Sequence, residues 1–212
     1  MHDEQLRQVC EQLPLFPLPG AVLLPGALLP LHVFEPRYRD LVRHCLDGPP
    51  IMGIATLQPG FEEDYDGAPP IYDTLGVGEL VAHQRLDDGR FYIVLRYVGR
   101  VRVEQELEVP HAFRVVRATL RPEDAEGAET ALGRLKLMLM QLGARTSDED
   151  DPQRGIREGG LELADAVANE LLQSSEERRA YLEQDRVVER IAMLETHLVG
   201  LLGQAVPTVG EA

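Results

Sequence analysis

The sequence predicts an α+β fold, in which a coiled, mostly antiparallel sheet with one inserted short helix is followed by a C-terminal helical bundle. Short β-rich runs separated by turns fill residues 13–120, whereas apolar residues recur at helical spacing from residue 121 onward. With 212 residues, 44% of them hydrophobic, the chain can bury a core without disulfides. We therefore expect a tail over residues 1–12, a β subdomain over 13–120, a helical subdomain over 121–205 and a second tail over 206–212.

Residues 13–33 form an apolar run that prolines interrupt repeatedly. The aliphatic side chains favour a buried sheet, but each proline removes one backbone donor from the ladder. We therefore expect two or three strands that are short, bulged or at a sheet edge. The prolines are Pro14, Pro17, Pro19, Pro25 and Pro30.

A short amphipathic helix is predicted directly after this run. Pro36 suits the first helical position, because its missing N–H would have no partner there in any case. The sequence Asp47-Gly48-Pro49-Pro50 ends the segment. Between these limits, apolar side chains recur at helical spacing: Tyr38, Leu41, Val42, Cys45 and Leu46.

Further strands are predicted over residues 51–57, 75–86, 90–105 and 113–120. Asp87-Asp88-Gly89 has the composition of a tight turn, which makes the second and third of these a hairpin. Gly99 is expected to mark a bulge or a sharp bend. Residues 91–95 are apolar on both faces of the strand, so we expect part of the hairpin to be covered on both sides.

The second part of the chain is predicted to be helical. Apolar stripes indicate helices over residues 128–142, 161–172 and 185–202. Ser174-Ser175-Glu176-Glu177 has the pattern of a capping box before a further helix. Residues 146–160, which include four consecutive acids, are expected to be an exposed linker.

Charge and cysteine content restrict the possible functions. The formal net charge is −15, and 20 of the 21 basic residues are arginine. Such an acidic chain repels phosphate backbones, which argues against nucleic acid as a partner. Two cysteines are too few for a disulfide framework, and the N-terminus lacks a signal-like segment, so we expect a cytoplasmic protein with reduced thiols. The apolar run of residues 21–31 is too short for a membrane helix and is broken by Pro25 and Pro30.

Several short sequence motifs resemble those of the substrate-binding (N-terminal) domain of the Lon protease family. The resemblance extends from residue 13 to about 202 and implies a PUA-like β pseudo-barrel followed by a helical bundle. The most specific motif is Phe34-Glu35-Pro36-Arg37-Tyr38, for which we expect a structural role in the fold. The other motifs are Leu13-Pro14-Leu15-Phe16-Pro17-Leu18, Val22-Leu23-Leu24-Pro25-Gly26, Asp87-Asp88-Gly89-Arg90 and Gly99-Arg100-Val101-Arg102-Val103.

The resemblance implies a non-enzymatic module that binds unfolded or degron-bearing polypeptide, as an adaptor to a protease or a chaperone. No cofactor is implied. The sequence itself contains no P-loop, since the single lysine, Lys136, lies within a helical pattern. A Ser-Lys dyad is equally unsupported, because Ser147, Ser174 and Ser175 fall in a linker or at a helix start.

Three alternatives remain open from the sequence. A PUA-like protein that binds nucleic acid is suggested by Arg96, Arg100 and Arg102, although Glu104 and Glu106 interrupt the basic stripe. A small hydrolase would have only a few histidines and one cysteine to use: His32, His44 and Cys45. Self-association through the helical bundle or a strand edge is compatible with polypeptide binding.

Two surfaces are candidates for polypeptide binding. Residues 58–74 have no regular pattern and are typical of a functional loop or of a lid over the barrel. Their candidate contact residues are Phe61, Tyr65, Ile71 and Tyr72. The second candidate is a free edge of the proline-rich strands, which could accept an added strand. No metal site is expected, since His32 and Glu35 are three apart at a strand end and do not share a face.

Overall fold

The computed structural model describes residues 3–65, 67–143 and 160–204. Over these ranges the chain forms six strands and six helices. The strands are β1 Leu13–Leu18, β2 Leu28–Val33, β3 Ile51–Thr56, β4 Thr74–Arg85, β5 Phe91–Leu107 and β6 Val115–Leu120. The helices are α1 Asp3–Cys10, α2 Pro36–Asp47, α3 Ala128–Gly143, α4 Leu161–Leu171, α5 Ser175–Glu183 and α6 Val187–Gln204. The predicted α+β class is confirmed.

The chain divides into two compact units. Among the described residues, the first unit comprises 3–122 and also includes the later segment Ser174–Glu183, which contains α5. The second unit comprises 123–143, 160–173 and 184–204. The acidic run at 148–151 and the predicted tail over 206–212 lie outside the described residues.

One mixed sheet of six strands organises the first unit. The strand order is β2-β5-β4-β3-β1-β6, and β5 also pairs with β6. The second half of β5 therefore closes the sheet on itself, while β2 is added to the first half of β5 as an edge strand. The result is a pseudo-barrel that is not a clean barrel. As expected, β5 bulges beside Gly99, where the register with β4 shifts between Val77 and Gly78.

The prolines lie where the sheet does not need their missing N–H groups. Strand β1 pairs with β6 only through Leu13 and Pro14, and with β3 only through Leu15–Leu18. Each proline in β1 thus lacks a ladder partner on one side. Pro30 lies in the edge strand β2. The expectation of short or edge strands is confirmed.

Two buried clusters form the core of the first unit. The first packs one face of α2, including Tyr38, Leu41 and Cys45, against the sheet. The second gathers Leu13, Leu15, Ile51, Leu75 and Val101 with two residues of α1. Those two, Leu6 and Cys10, lie four positions apart on one helix face and are buried, which explains why a segment expected to be a tail forms a helix.

Three helices, α3, α4 and α6, pack together in the second unit. Their facing stripes include Leu135, Ala168, Ile191 and Leu194, all buried. Arg190 is also buried and pairs with Glu123. Within the described ranges no helix is long and apolar enough to cross a membrane.

The capping box predicted at Ser174 forms as expected. The Glu177 N–H donates to Ser174 Oγ (3.1 Å), and Ser174 N–H donates back to Glu177 Oε2 (3.0 Å). These reciprocal bonds satisfy donors that the helix α5 itself leaves unpaired.

Candidate functional site

Exposed apolar side chains in the first unit concentrate on the β2–β5–β4 part of the sheet. Among the described residues, this unit exposes five large hydrophobic side chains, and four of them lie on or beside these strands: Leu28, Phe34, Val81 and Tyr92. Phe34 is 59% exposed and Tyr92 is 50% exposed. We define the apolar face by the outward side chains Leu28, Pro30, His32, Phe34, Ala82, Tyr92 and Val94.

Strand register explains why these residues share one face. His32 lies opposite Tyr92, and Pro30 lies opposite Val94. Ala82 of β4 lies opposite Val94 on the other side of β5, so Pro30, Val94 and Ala82 form a row across the three strands. Since side chains alternate along a strand, the residues between them point to the core: Leu31, Val33, Ile93 and Leu95.

Aromatic contacts shape the middle of the apolar face. The His32 ring stacks on the Tyr92 ring with centroids 4.8 Å apart, and the Phe34 ring lies 5.8 Å from that of His32. Beside them, an open groove of about 540 Å³ is lined by residues of β2, β4 and β5. Its volume lies within the range of clefts that bind ligands, and its lining includes the His32 and Tyr92 rings.

Ion pairs lie at the two ends of the apolar face. Arg96 donates to Glu79 Oε2 at 2.6 Å near one end. Arg90 Nε donates to Asp88 Oδ2 at 2.7 Å in the hairpin turn near the other. The backbone N–H of Arg90, followed by its side chain, lowers the pKa of Asp88. The centre of the face therefore carries no fixed charge, in a chain whose net charge is −15.

The edge of β2 beside this face is free. Tyr97 N–H donates to Ala27 O at 3.1 Å, so residues 27 and 97 form a hydrogen-bonded pair. Such pairs alternate with non-hydrogen-bonded pairs in an antiparallel ladder. The backbone groups of Leu28, Pro30 and His32 must then point away from β5, and within the described ranges no backbone group pairs with them.

Three of the four predicted loop residues lie in or against the second core cluster. Ile71 is buried and pairs with Leu57, while Phe61 and Tyr65 are half-buried against the same cluster. Tyr72 is half-buried under the guanidinium of Arg179, whose Cζ lies 4.1 Å from the ring centroid. Polypeptide contact by these residues stays a prediction, and their apolar surface is largely engaged within the protein.

The motif Phe34-Glu35-Pro36-Arg37-Tyr38 links the start of α2 to the loop over residues 58–74 through hydrogen bonds. Glu35 accepts hydrogen bonds from Arg37 Nε (3.0 Å) and Tyr65 Oη (2.9 Å). Arg37 also donates to the carbonyl of Tyr65. Burial, and then the bond to Glu35, raises the pKa of Tyr65.

Within this motif, Tyr38 is buried whereas Phe34 is exposed. Tyr38 is buried, packs on Phe16 with ring centroids 4.4 Å apart and has its pKa raised to about 12 by burial. Phe34, by contrast, is 59% exposed. The interactions of Glu35, Arg37 and Tyr38 support the structural role expected for the motif, whereas Phe34 belongs to the apolar face.

The side chains considered for hydrolysis do not assemble into a nucleophilic site. Cys45 is buried, its Sγ donates to the Ile51 carbonyl, and burial raises its pKa to about 12. His44 instead faces His111, with ring centroids 5.1 Å apart. Burial and then His111 lower the pKa of His44. A thiol held protonated in the core is a poor nucleophile.

Two of the arginines considered for phosphate binding are engaged within the protein, and the described residues hold no metal-binding cluster. No group of three His, Cys, Asp or Glu within them could hold a metal ion. Arg100 is buried and donates to the carbonyls of Leu182 and Pro122, both at 2.7 Å, so it is not available to a phosphate. Arg96 pairs with Glu79, so its charge is also balanced within the protein.

A second, larger groove of about 690 Å³ lies beside α1. Its lining is rich in amide side chains and includes Gln5, Gln8 and Gln12 with His44. Among the described residues, no aromatic side chain other than that histidine lines it, and its lining is more polar than that of the groove beside the apolar face.

The apolar face was not predicted from the sequence pattern. Alternation placed Tyr92 and Val94 on one side of β5, but we expected that side to be covered. The structure leaves it open, with Tyr92 half exposed. His32, which we did not expect to be a metal ligand, lies in an aromatic stack.

Fold and site together define an α+β domain whose mixed sheet leaves one apolar face open. The family model of the ATP-dependent protease La (LON) substrate-binding domain matches residues 12–200, and the chain belongs to this family. The resemblance noted in the sequence is thus confirmed.

Two full-length proteins illustrate the relationship. Lon protease of Heliobacterium modesticaldum is 24% identical over 197 residues, which cover 91% of this chain and 24% of that protein. Lon protease 2 of Myxococcus xanthus is 29% identical over 135 residues, covering 63% of this chain and 16% of that protein. The chain therefore spans about a quarter or less of the length of these relatives.

Solved structures show the same fold. The N-terminal domain of Mycobacterium avium complex Lon protease superposes with a TM-score of 0.69 at 17% identity, covering 89% of this chain and 98% of that one. A Lon N-terminal domain protein from Xanthomonas campestris gives a TM-score of 0.63 at 24% identity, covering 87% and 97%.

Proposed function

We propose that this domain recognises unfolded or flexible polypeptide through the apolar face and presents it to a partner protease or chaperone. The observation that carries the proposal is the open aromatic surface formed by His32, Phe34 and Tyr92 on strands with well-packed inner faces. An apolar patch kept on a rigid sheet marks an interaction site.

The chemistry of the face suits segments that folded proteins hide. Aromatic rings provide a large apolar contact area with little loss of side-chain freedom. The absence of a fixed charge at the centre removes any need for a matching charge on the bound segment. Folded proteins bury such apolar segments, so the face selects polypeptide that is unfolded or unfolding.

Binding is tested with the variant Ala82→Glu. Ala82 is exposed in the middle of the face and opposite Val94, so the new carboxylate changes the face without removing core packing. The matched control is Ala192→Glu, which makes the same charge change at an exposed position of α6. The probe is fluorescein-labelled lysozyme that has been reduced and carboxyamidomethylated, and the readout is fluorescence anisotropy.

We expect the wild-type domain and Ala192→Glu to bind the unfolded probe equally well. Ala82→Glu should weaken binding at least tenfold, since apolar contact would leave a carboxylate without water or a partner. The proposal is wrong if the wild type does not bind the probe, or if both variants bind it alike while retaining the wild-type unfolding temperature.

A further inference from the structure

We propose that the bound polypeptide adds to the free edge of β2 as a further strand, so that its backbone, and not only its side chains, is recognised. This inference rests on the function proposed above and specifies how the segment is held. It follows from the outward backbone groups of β2 and from the apolar side chains beside them.

The free edge provides five backbone groups for pairing. The N–H groups of Leu28 and His32 and the carbonyls of Leu28, Pro30 and His32 point away from β5. An incoming strand can satisfy these groups with its own amides, whatever its sequence. Such recognition suits a protein that must accept many different clients.

Side chains at the same positions couple the edge to the apolar face. Leu28, Pro30 and His32 are exposed, and their side chains lie on the face of the sheet that carries Tyr92 and Val94. A segment paired with this edge therefore projects every second side chain over the apolar face. The preferred client segment alternates apolar and polar residues.

Pro30 limits how tightly the edge can bind. Its missing N–H falls on the outward side, which leaves the β2–β5 ladder intact but removes the central donor of the edge. The domain can thus capture a strand reversibly, and the same gap discourages pairing between two copies of the protein.

The length of the site follows from strand geometry. From residue 28 to residue 34 there are six steps of about 3.3 Å, so the face and edge span roughly 20 Å. We therefore expect a footprint of about seven client residues, and little gain in affinity for longer peptides.

N-methylated peptides test the inference without altering the protein. The probe is a fluorescein-labelled nine-residue peptide in which Ile and Phe alternate with Thr. One version carries N-methyl groups on three apolar residues, and the matched version carries them on three Thr residues. Because successive amides of a strand point to opposite edges, only one version can lose its bonds to β2.

We expect one methylated peptide to bind within threefold of the parent and the other to bind at least tenfold more weakly, given the modest net value of each hydrogen bond. Loss in the apolar-methylated peptide indicates an antiparallel added strand, and loss in the Thr-methylated peptide a parallel one. Equal affinities, or equal losses, overturn strand addition.

Restoring the missing donor gives an independent test. Pro30→Val adds the central N–H and keeps an apolar side chain, so it should tighten binding of the parent peptide by roughly threefold to tenfold. Pro110→Val, at an exposed position between β5 and β6, is the control and should change nothing.

The two proposals fail in different ways. If the parent peptide and the unfolded probe do not bind the wild type, the proposed function is wrong. If they bind but the methylated peptides lose affinity equally and Pro30→Val has no effect, the function stands and strand addition is wrong.

Discussion

The side chain of Phe34 provides a quantitative prediction about the apolar face. Replacing it with alanine removes a ring that is 59% exposed and lies 5.8 Å from the His32 ring. Because the ring extends into solvent beyond the end of β2, most of the loss should appear in polypeptide binding.

The magnitude follows from the exposed area. An aromatic side chain can bury about 150–250 Å², so the exposed part of Phe34 amounts to roughly 90–150 Å². Covering about half of that area contributes about 1–2 kcal/mol at 25 cal/mol per Å². We therefore expect Phe34→Ala to weaken binding of the unfolded probe by about fivefold to thirtyfold.

The assay compares Phe34→Ala with Leu137→Ala by fluorescence anisotropy. Leu137 lies in α3 of the second unit and is 62% exposed, which makes it a control of similar exposure that does not belong to the apolar face. The reasoning is refuted if both variants bind the probe with wild-type affinity, or if Leu137→Ala is the more damaging of the two.

Two further predictions concern stability. Gly76→Ala should lower the free energy of unfolding by about 1–3 kcal/mol or more, measured by urea titration, because its Cβ would lie 2.1 Å from the carbonyl oxygen of Leu23. Gly133→Ala, which meets nothing within 4 Å in helix α3, should instead stabilise by about 0.5–1 kcal/mol, and the opposite order would contradict this packing. Burial raises the pKa of Cys45 from 9.0 to about 12, so the unfolded chain loses this proton at lower pH than the folded one. Stability should therefore fall from pH 9 upward, by about 1.4 kcal/mol per pH unit from this thiol, and urea titrations of Cys45→Ala should show a shallower fall.

Local sequence signals predicted most of the elements. The Asp87-Asp88-Gly89 turn placed the β4–β5 hairpin, and Ser174 with Glu177 placed the start of α5. Both features depend on neighbouring residues, so their chemistry can be recognised without knowing the fold. Pro36 located the start of α2 for the same reason.

Features that depend on distant partners could not be predicted. Helix α1 forms because Leu6 and Cys10 find a cluster built by later strands. The exposure of Tyr92 depends on which element covers β5, and alternation along one strand does not contain that information. The free edge of β2 likewise follows from strand order, which pairs β2 only with β5.

The candidate site was therefore predicted only in part. The sequence indicated a free edge among the proline-rich strands, and the structure identifies it as β2. It also suggested the loop over residues 58–74, whose aromatic side chains pack largely against the protein itself. The partnership of His32 with Tyr92 requires a register between strands some 60 residues apart, which no local pattern encodes.

Site-specific photocrosslinking tests the central claim most directly. Benzoylphenylalanine placed in turn at Tyr92, Phe61 and Leu137 samples the apolar face, the loop and the second unit. With the unfolded lysozyme probe, we expect strong crosslinking at position 92 and little at 61 or 137. Crosslinking at 61 or 137 but not at 92 would show that polypeptide binds elsewhere and contradict the assignment of the apolar face.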